Sequence, residues 1–403
     1  MSSDDRFLDA ALAIGRRIVA DAVWHHGACA WMGAERTRPL TVEYRALGPE
    51  LYGGTAGIGL FLAHLAVVTD EAAARRTAVG ALRHATERLS ALPPDRRDGF
   101  YAGPLGVAWA AACVAALLGE EPLHAAAEAA AGEARPPAQG VRSLDINEGA
   151  AGTIVGRLAL EQVGAAVADG QTVLARAVTD AHGWSWPSRG RRHPHHLCGL
   201  AHGAAGVGWA LLELFEATGE DRFRDGALGA FAYERSWMDA ATGTWPDHRL
   251  RGYRRGHPHP FPSPAIGTWC HGEAGIALTR LRAADALGPQ DDVAAALDAT
   301  RRRVDDALAA DFDDLSLCHG LAGAAETLRV ASAGSDAATT LAGAAVERHL
   351  RRGDWPCAEG PAASPGLFPG LAGIGWFLLC IGEPRAPSPV QLCLGLDRAR
   401  SSA

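Results

Sequence analysis

The sequence predicts an all-α protein made of seven stacked helical hairpins, and three observations carry that expectation. A Gly-x-x-Gly element recurs at Gly54/Gly57, Gly103/Gly106, Gly149/Gly152, Gly203/Gly206, Gly272/Gly275, Gly320/Gly323 and Gly370/Gly373, with successive first-glycine spacings of 49, 46, 54, 69, 48 and 50 residues. Self-similarity at such a period decides architecture before any single segment does. Each element opens an apolar run that is followed by a more polar one. Alanine-rich tracts such as residues 125–131 favour helix over strand.

Taken in chain order, Arg6 to Trp24 predicts an N-terminal helix, so residues 1–40 are expected as a helical extension packed on a single domain over 41–403. The glycines allow a sharp turn and a close approach at each helix start. The runs Ile58 to Leu65, Val107 to Leu118, Val207 to Phe215, Ile276 to Leu281 and Ile374 to Ile381 read as inner helices. Asp221 to Trp237 and Asp291 to Ala309, where charges alternate with alanines at helical period, read as outer ones. Such hairpins cannot bury their inner faces singly and must stack. An open solenoid and a closed double ring both satisfy the pattern. The longest spacing contains Trp245-Pro-Asp-His and the Arg-, His- and Pro-rich stretch from Arg249 to Pro264, a loop suited to gating a substrate. Trp184 to His196 reads as an irregular connection.

Composition excludes several classes of chemistry. All 38 basic residues are arginine, so there is no P-loop, kinase or Schiff-base lysine. A net charge of -8 argues against general nucleic-acid affinity, although Arg249, Arg251, Arg254 and Arg255 form a local basic cluster able to meet an acidic peptide. No apolar stretch approaches the ~20 residues of a membrane span, and the N-terminus lacks a cationic start before an apolar core, so a cytoplasmic protein is expected. In that reducing setting Cys29, Cys113, Cys198, Cys270, Cys318, Cys357, Cys380 and Cys393 are core residues, thiolates or metal ligands rather than disulfides.

Two repeats carry the same tetrapeptide ahead of the inner helix, Trp269-Cys270-His271-Gly272 and Leu317-Cys318-His319-Gly320, and His202-Gly203 takes the matching place in a third. If the inner helices point the same way, Cys270, Cys318 and one of the two neighbouring histidines converge. Two cysteines and one histidine leave a tetrahedral position open, the pattern of a catalytic zinc rather than a structural one. Either cysteine alone would read as a packing residue.

These elements, together with Leu-Tyr-Gly-Gly-Thr-Ala-Gly (51–57), Gly-Leu-Ala-His-Gly-Ala-Ala-Gly (199–206), Pro-Gly-Leu-Ala-Gly-Ile-Gly (369–375) and Tyr-Glu-Arg-Ser (233–236), resemble the lanthionine synthetase C family. Within it they are closest to the cyclase half of class II lanthipeptide synthetases. The resemblance covers nearly the whole chain. It implies an α/α toroid, a double ring of seven inner and seven outer helices, and a zinc-dependent cyclase that adds cysteine thiols of a dehydrated precursor peptide to dehydroalanine or dehydrobutyrine. It also implies Cys270, Cys318 and His319 as zinc ligands, His202 as the essential histidine and Asp145 as its aspartate. A dehydratase domain is missing from the chain, so a separate enzyme is expected as partner. Cyclases of the nisin type carry an arginine four residues before the first zinc cysteine; here Ile266 stands there, leaving Arg280 or an arginine of 249–255 as substitutes.

Other readings fit less of the sequence. A prenyltransferase would place an aspartate among the zinc ligands and line a funnel with aromatics, which make up only 6% of this chain. A glycoside hydrolase needs paired carboxylates; Asp145 and Glu148 are candidates, but the cysteines are then left without a role. A relative that adds glutathione to dehydrated residues, or a zinc-holding scaffold without cyclase activity, shares the same motifs.

Overall fold

Apolar runs that begin at a glycine pair do form helices, and the second glycine shows why. In the computed structural model, which describes residues 5–38, 41–135, 142–188, 195–249, 267–332, 335–357 and 364–392, a Cβ at Gly206, Gly275 or Gly323 would collide with the backbone carbonyl of Leu200, Trp269 or Leu317, six residues earlier. The chain therefore folds back onto its own helix start, which only a residue without a side chain permits.

The described residues form two contact units. The first, Met1–Pro136 with Val304–Leu392, contains α1 (Asp5–Ala20), α2 (Thr55–Thr69), α3 (Ala72–Glu87), α4 (Pro104–Leu118), α5 (Glu121–Gly132), α12 (Leu321–Val330), α13 (Ser335–Arg352) and α14 (Leu371–Gly382). The second, built on Pro137–Arg303, contains α6 (Ala150–Ala159), α7 (Val163–Leu174), α8 (Ala204–Thr218), α9 (Asp221–Ser236), α10 (Glu273–Leu287) and the start of α11 (Val293–Ala309). The helices opened by Gly-x-x-Gly are buried on nearly every face: eleven residues of α2 and eleven of α14 are buried. Their partners bury one stripe, as amphipathic helices do.

Three details depart from the sequence expectation. The N-terminal helix ends at Ala20 rather than Trp24, because Val23–His25 (β1) pairs with Ala28–Ala30 (β2) across a turn where His26 and Gly27 both have positive φ. That conformation suits the tight turns that match strand twist. A second hairpin joins Met32–Arg38 (β3) to Thr41–Ala46 (β4). Gly183–Ser185 (β6) pairs with Val178–Asp180 (β5), so part of the irregular connection is a strand. As expected of an N-terminal helix, α1 packs on the helices that follow it: it runs along α14 as the outer helices run along theirs, with Leu8 against Gly382 and Ile14 against Gly375. Among the described residues no helix follows α14, so its outer partner comes from the N-terminus.

The turns before the inner helices are tied together at one register, two residues ahead of the first glycine. In the first unit the N–H of Cys318 donates to Phe368 O (3.0 Å), that of Phe368 to Tyr52 O (2.8 Å) and that of Tyr52 to Tyr101 O (2.9 Å). In the second, Asn147 N–H donates to Ala201 O (3.3 Å) and Ala201 N–H to Cys270 O (3.0 Å). Side chains at equivalent positions are thus held at equivalent heights within each unit. Among the described residues no helix is long and apolar enough to cross a membrane.

Candidate functional site

Three of the four turns that carry candidate residues are built by a cap four residues before the glycine. Asp145 Oδ1 accepts the N–H of Glu148 (2.8 Å), Thr268 Oγ1 that of His271 (3.2 Å) and Ser316 Oγ that of His319 (3.4 Å). Short oxygen-bearing side chains favour such local bonds over helix continuation. The residue just before the glycine is thereby fixed: Glu148, His271 or His319 in these three repeats.

In the second unit these turns place four expected residues together. His202 Nδ1 lies 2.8 Å from Asp145 Oδ2, so one carboxylate caps its own turn with one oxygen and holds the histidine with the other. Burial pushes Asp145 up, but the His202 charge and three hydrogen bonds outweigh it and leave the carboxyl below its ordinary range. Partial burial works against the charged form of His202, while the Asp145 carboxylate more than compensates and raises its pKa. The His202 ring stacks on that of His271 at 5.0 Å and 20°. His271 is buried, which drives its pKa down to about 3, and among the described residues its Nε2 has no hydrogen-bond partner. Of the two stacked imidazoles, the one facing a carboxylate has the higher pKa.

Cys270 sits on the same His271 turn, buried, with the Thr268 hydroxyl 3.4 Å from its sulfur. The loop carrying His202 lies directly against this turn: Gly199 has φ +106, and a Cβ there would sit 2.7 Å from Cys270 O and 2.8 Å from His271 Cα. In the first unit, Cys318 is buried and His319 exposed, with Sγ and Nε2 3.8 Å apart. Two donors sharing a tetrahedral zinc at ~2.3 Å (S) and ~2.0 Å (N) are separated by about 3.5 Å. The Cys318–His319 pair therefore has a spacing that suits one ion. Of the two carboxylates considered for hydrolysis, Asp145 is engaged through both oxygens, by Glu148 N–H and by His202.

Other expectations resolve differently. Arg280 is fully buried on α10, bonded to Asp292 (2.9 Å) and stacked over Phe231 at 4.3 Å, so it serves the core. Arg249 is clasped by buried Asp247 through Nε and NH2, the latter at 2.8 Å. Arg251, Arg254, Arg255, Ile266, Cys393 and the rest of the 250–264 loop lie outside the described residues. The seven described cysteines form no disulfide. Burial pushes Cys113 up to about 12 and Cys380 well above its ordinary value, marking both as packing thiols. The sequence reading missed Thr268 and Ser316, whose one signal is a short hydroxyl side chain four residues before the repeat's first glycine, and met Glu234, which reaches the His202 loop from α9, only as part of Tyr-Glu-Arg-Ser.

Comparison with known proteins bears on this arrangement. A family model described as lanthionine synthetase C-like protein matches residues 45–391. Among solved structures, Nisin cyclase matches with a TM-score of 0.61 and 17% identity, over 86% of this chain and 92% of that one. At that identity the likeness shows the fold, which is the all-α toroid. No curated protein matches by sequence.

Proposed function

This chain belongs to the lanthionine synthetase C-like family, and from that premise we propose that it is a zinc-dependent lanthionine and methyllanthionine cyclase acting on a dehydrated precursor peptide. The observation that carries the proposal is the His202–Asp145 pair held against the Cys270 turn. Cys270, Cys318 and His319 would hold the zinc, as the resemblance implies, and their donor set leaves a fourth position for a substrate thiol. Bound there, zinc supplies a Lewis acid that keeps a cysteine sulfur in its thiolate form near neutral pH, where a free thiol is mostly protonated. The Thr268 hydroxyl, 3.4 Å from Cys270 Sγ, would help orient that ligand.

His202 handles the proton. With Nδ1 tied to Asp145, the nitrogen left to exchange a proton is Nε2. Thiolate attack on the β-carbon of a dehydro residue leaves an enolate whose α-carbon must gain a proton. The Asp145 carboxylate favours the protonated form of His202, which suits it to deliver that proton. Asp145 fixes the tautomer and stabilises the imidazolium. His271, neutral by burial, adds no competing charge to the stack. A dehydratase activity supplies the dehydro residues.

Purified protein supplied with zinc and a dehydrated peptide bearing free cysteine tests the proposal. Loss of free thiol, followed at early times by alkylation and mass spectrometry, is expected to outpace the unaided reaction. A rate equal to that of peptide alone would sink it.

A further inference from the structure

The turn that carries His202 lacks the device that builds its neighbours. Where Asp145, Thr268 and Ser316 cap their own turns, the equivalent position before Gly203 is Gly199, which has no side chain. Its substitute comes from another element. Glu234 Oε1 on α9 accepts the N–H of Gly199 at 3.0 Å and of Ala205 at 2.7 Å, bracketing the loop that presents His202. α9 is itself pinned at this point, because Trp245 Nε1 donates to the Glu234 carbonyl (2.8 Å).

We propose that Glu234 is a positioning residue for the ring-closing reaction, setting the height of His202 over the Cys270 turn through the 199–205 loop. The inference rests on the cyclase reading and concerns a residue that touches neither substrate nor metal. Three further features support it. Glu234 is fully buried, a costly place for a carboxyl whose only described hydrogen bonds run to this loop. Gly199, one anchor, abuts Cys270 and His271 so closely that a small slide of the loop changes the His202–Asp145 and His202–His271 contacts together. Burial raises Glu234 to about 7, against the Arg280 charge and both N–H bonds; Oε1 accepts in either protonation state, so the function lies in the placed oxygen rather than in charge.

The substitutions that separate placement from charge are E234D, which keeps the carboxylate but withdraws it by one methylene, and E234Q, which keeps the reach and the Oε1 acceptor. Zinc content, kcat and KM for the dehydrated peptide, and backbone hydrogen exchange over 197–206 against 143–150 are measured for the parent and both variants. E234D is expected to retain zinc and KM while kcat falls about a hundredfold, the effect of a displacement near 1 Å. Exchange quickens over 197–206 alone. E234Q recovers most of kcat and the protection. Parent kcat and exchange in E234D would overturn the proposal. So would a folded E234Q that loses kcat, which decides the matter even where E234D does not fold. A parent protein inert towards the peptide would defeat the cyclase reading instead, with the exchange readout still deciding whether Glu234 holds the loop.

Discussion

The Cys270 and Cys318 turns share a tetrapeptide pattern yet treat its histidine in opposite ways. In Trp269-Cys270-His271-Gly272 the imidazole is buried, stacked on His202 and held neutral by a pKa near 3. In Leu317-Cys318-His319-Gly320 it is exposed, with its Nε2 3.8 Å from the neighbouring sulfur. Caps and register are the same, since Thr268 and Ser316 both accept the histidine N–H. What differs is the surroundings: a second histidine with its own carboxylate lies beside one turn. Repetition thus creates equivalent positions, and each unit's packing gives them different surroundings.

That comparison is broken most completely at the cysteines. Cys270→Ala or Cys318→Ala is expected to abolish stoichiometric zinc and with it enzymatic ring closure, whereas Cys113→Ala and Cys380→Ala, which remove packing thiols, keep the metal. Metal analysis of the purified variants checks this. Next in size is His202→Asn, which should retain zinc and peptide binding while early ring-closure rates fall by ~10²–10⁴, the usual worth of a general acid or base. A zinc-replete variant with the parent rate would remove His202 from the mechanism.

Asp145→Asn should cost less, about 10–100-fold, because the amide oxygen still caps Glu148 while the orienting charge is lost. It also lowers the pKa of His202, which an NMR titration of the imidazole would read. The pair leaves a signature in stability too. His202 is raised, so its contribution is present below about 6.5 and is lost as pH climbs through its folded value; Asp145 is lowered, so its contribution is present above about 4 and is lost as pH falls through its folded value. The difference in Tm between parent and Asp145→Asn is therefore expected to be largest between about pH 4 and 6.5. A gap that does not vary with pH would show that the bond carries no linked charge.

How much of this the sequence revealed follows from the reach of each interaction. The inner helices were legible because every one begins with the same glycine pair, whose second member has no room for a Cβ, as at Gly206 and Gly275. The hairpins over 23–46 were not, since three-residue strands such as Val23–His25 are shorter than any periodicity can register. Nor was the pairing of α1 with α14, which joins residues near the two ends of the sequence. At the site, Cys270, Cys318 and His202 announced themselves by position within the repeat, whereas Asp145 and the choice of His319 over His271 came only from the family resemblance. The bond from His202 to Asp145, 57 residues away, and Glu234's reach to Gly199 depend on neighbouring repeats and elements and have no local signature.

The most direct test sets the two histidines against each other. Zinc content is measured in His319→Ala and His271→Ala, purified side by side, with folding confirmed by far-UV circular dichroism. His319→Ala is expected to lose the metal and His271→Ala to keep about one equivalent, since the proposed ligand set takes its nitrogen from His319 while the His271 imidazole is buried against His202. Zinc lost from His271→Ala and retained in His319→Ala would contradict the assignment and move the metal's nitrogen ligand to the other turn.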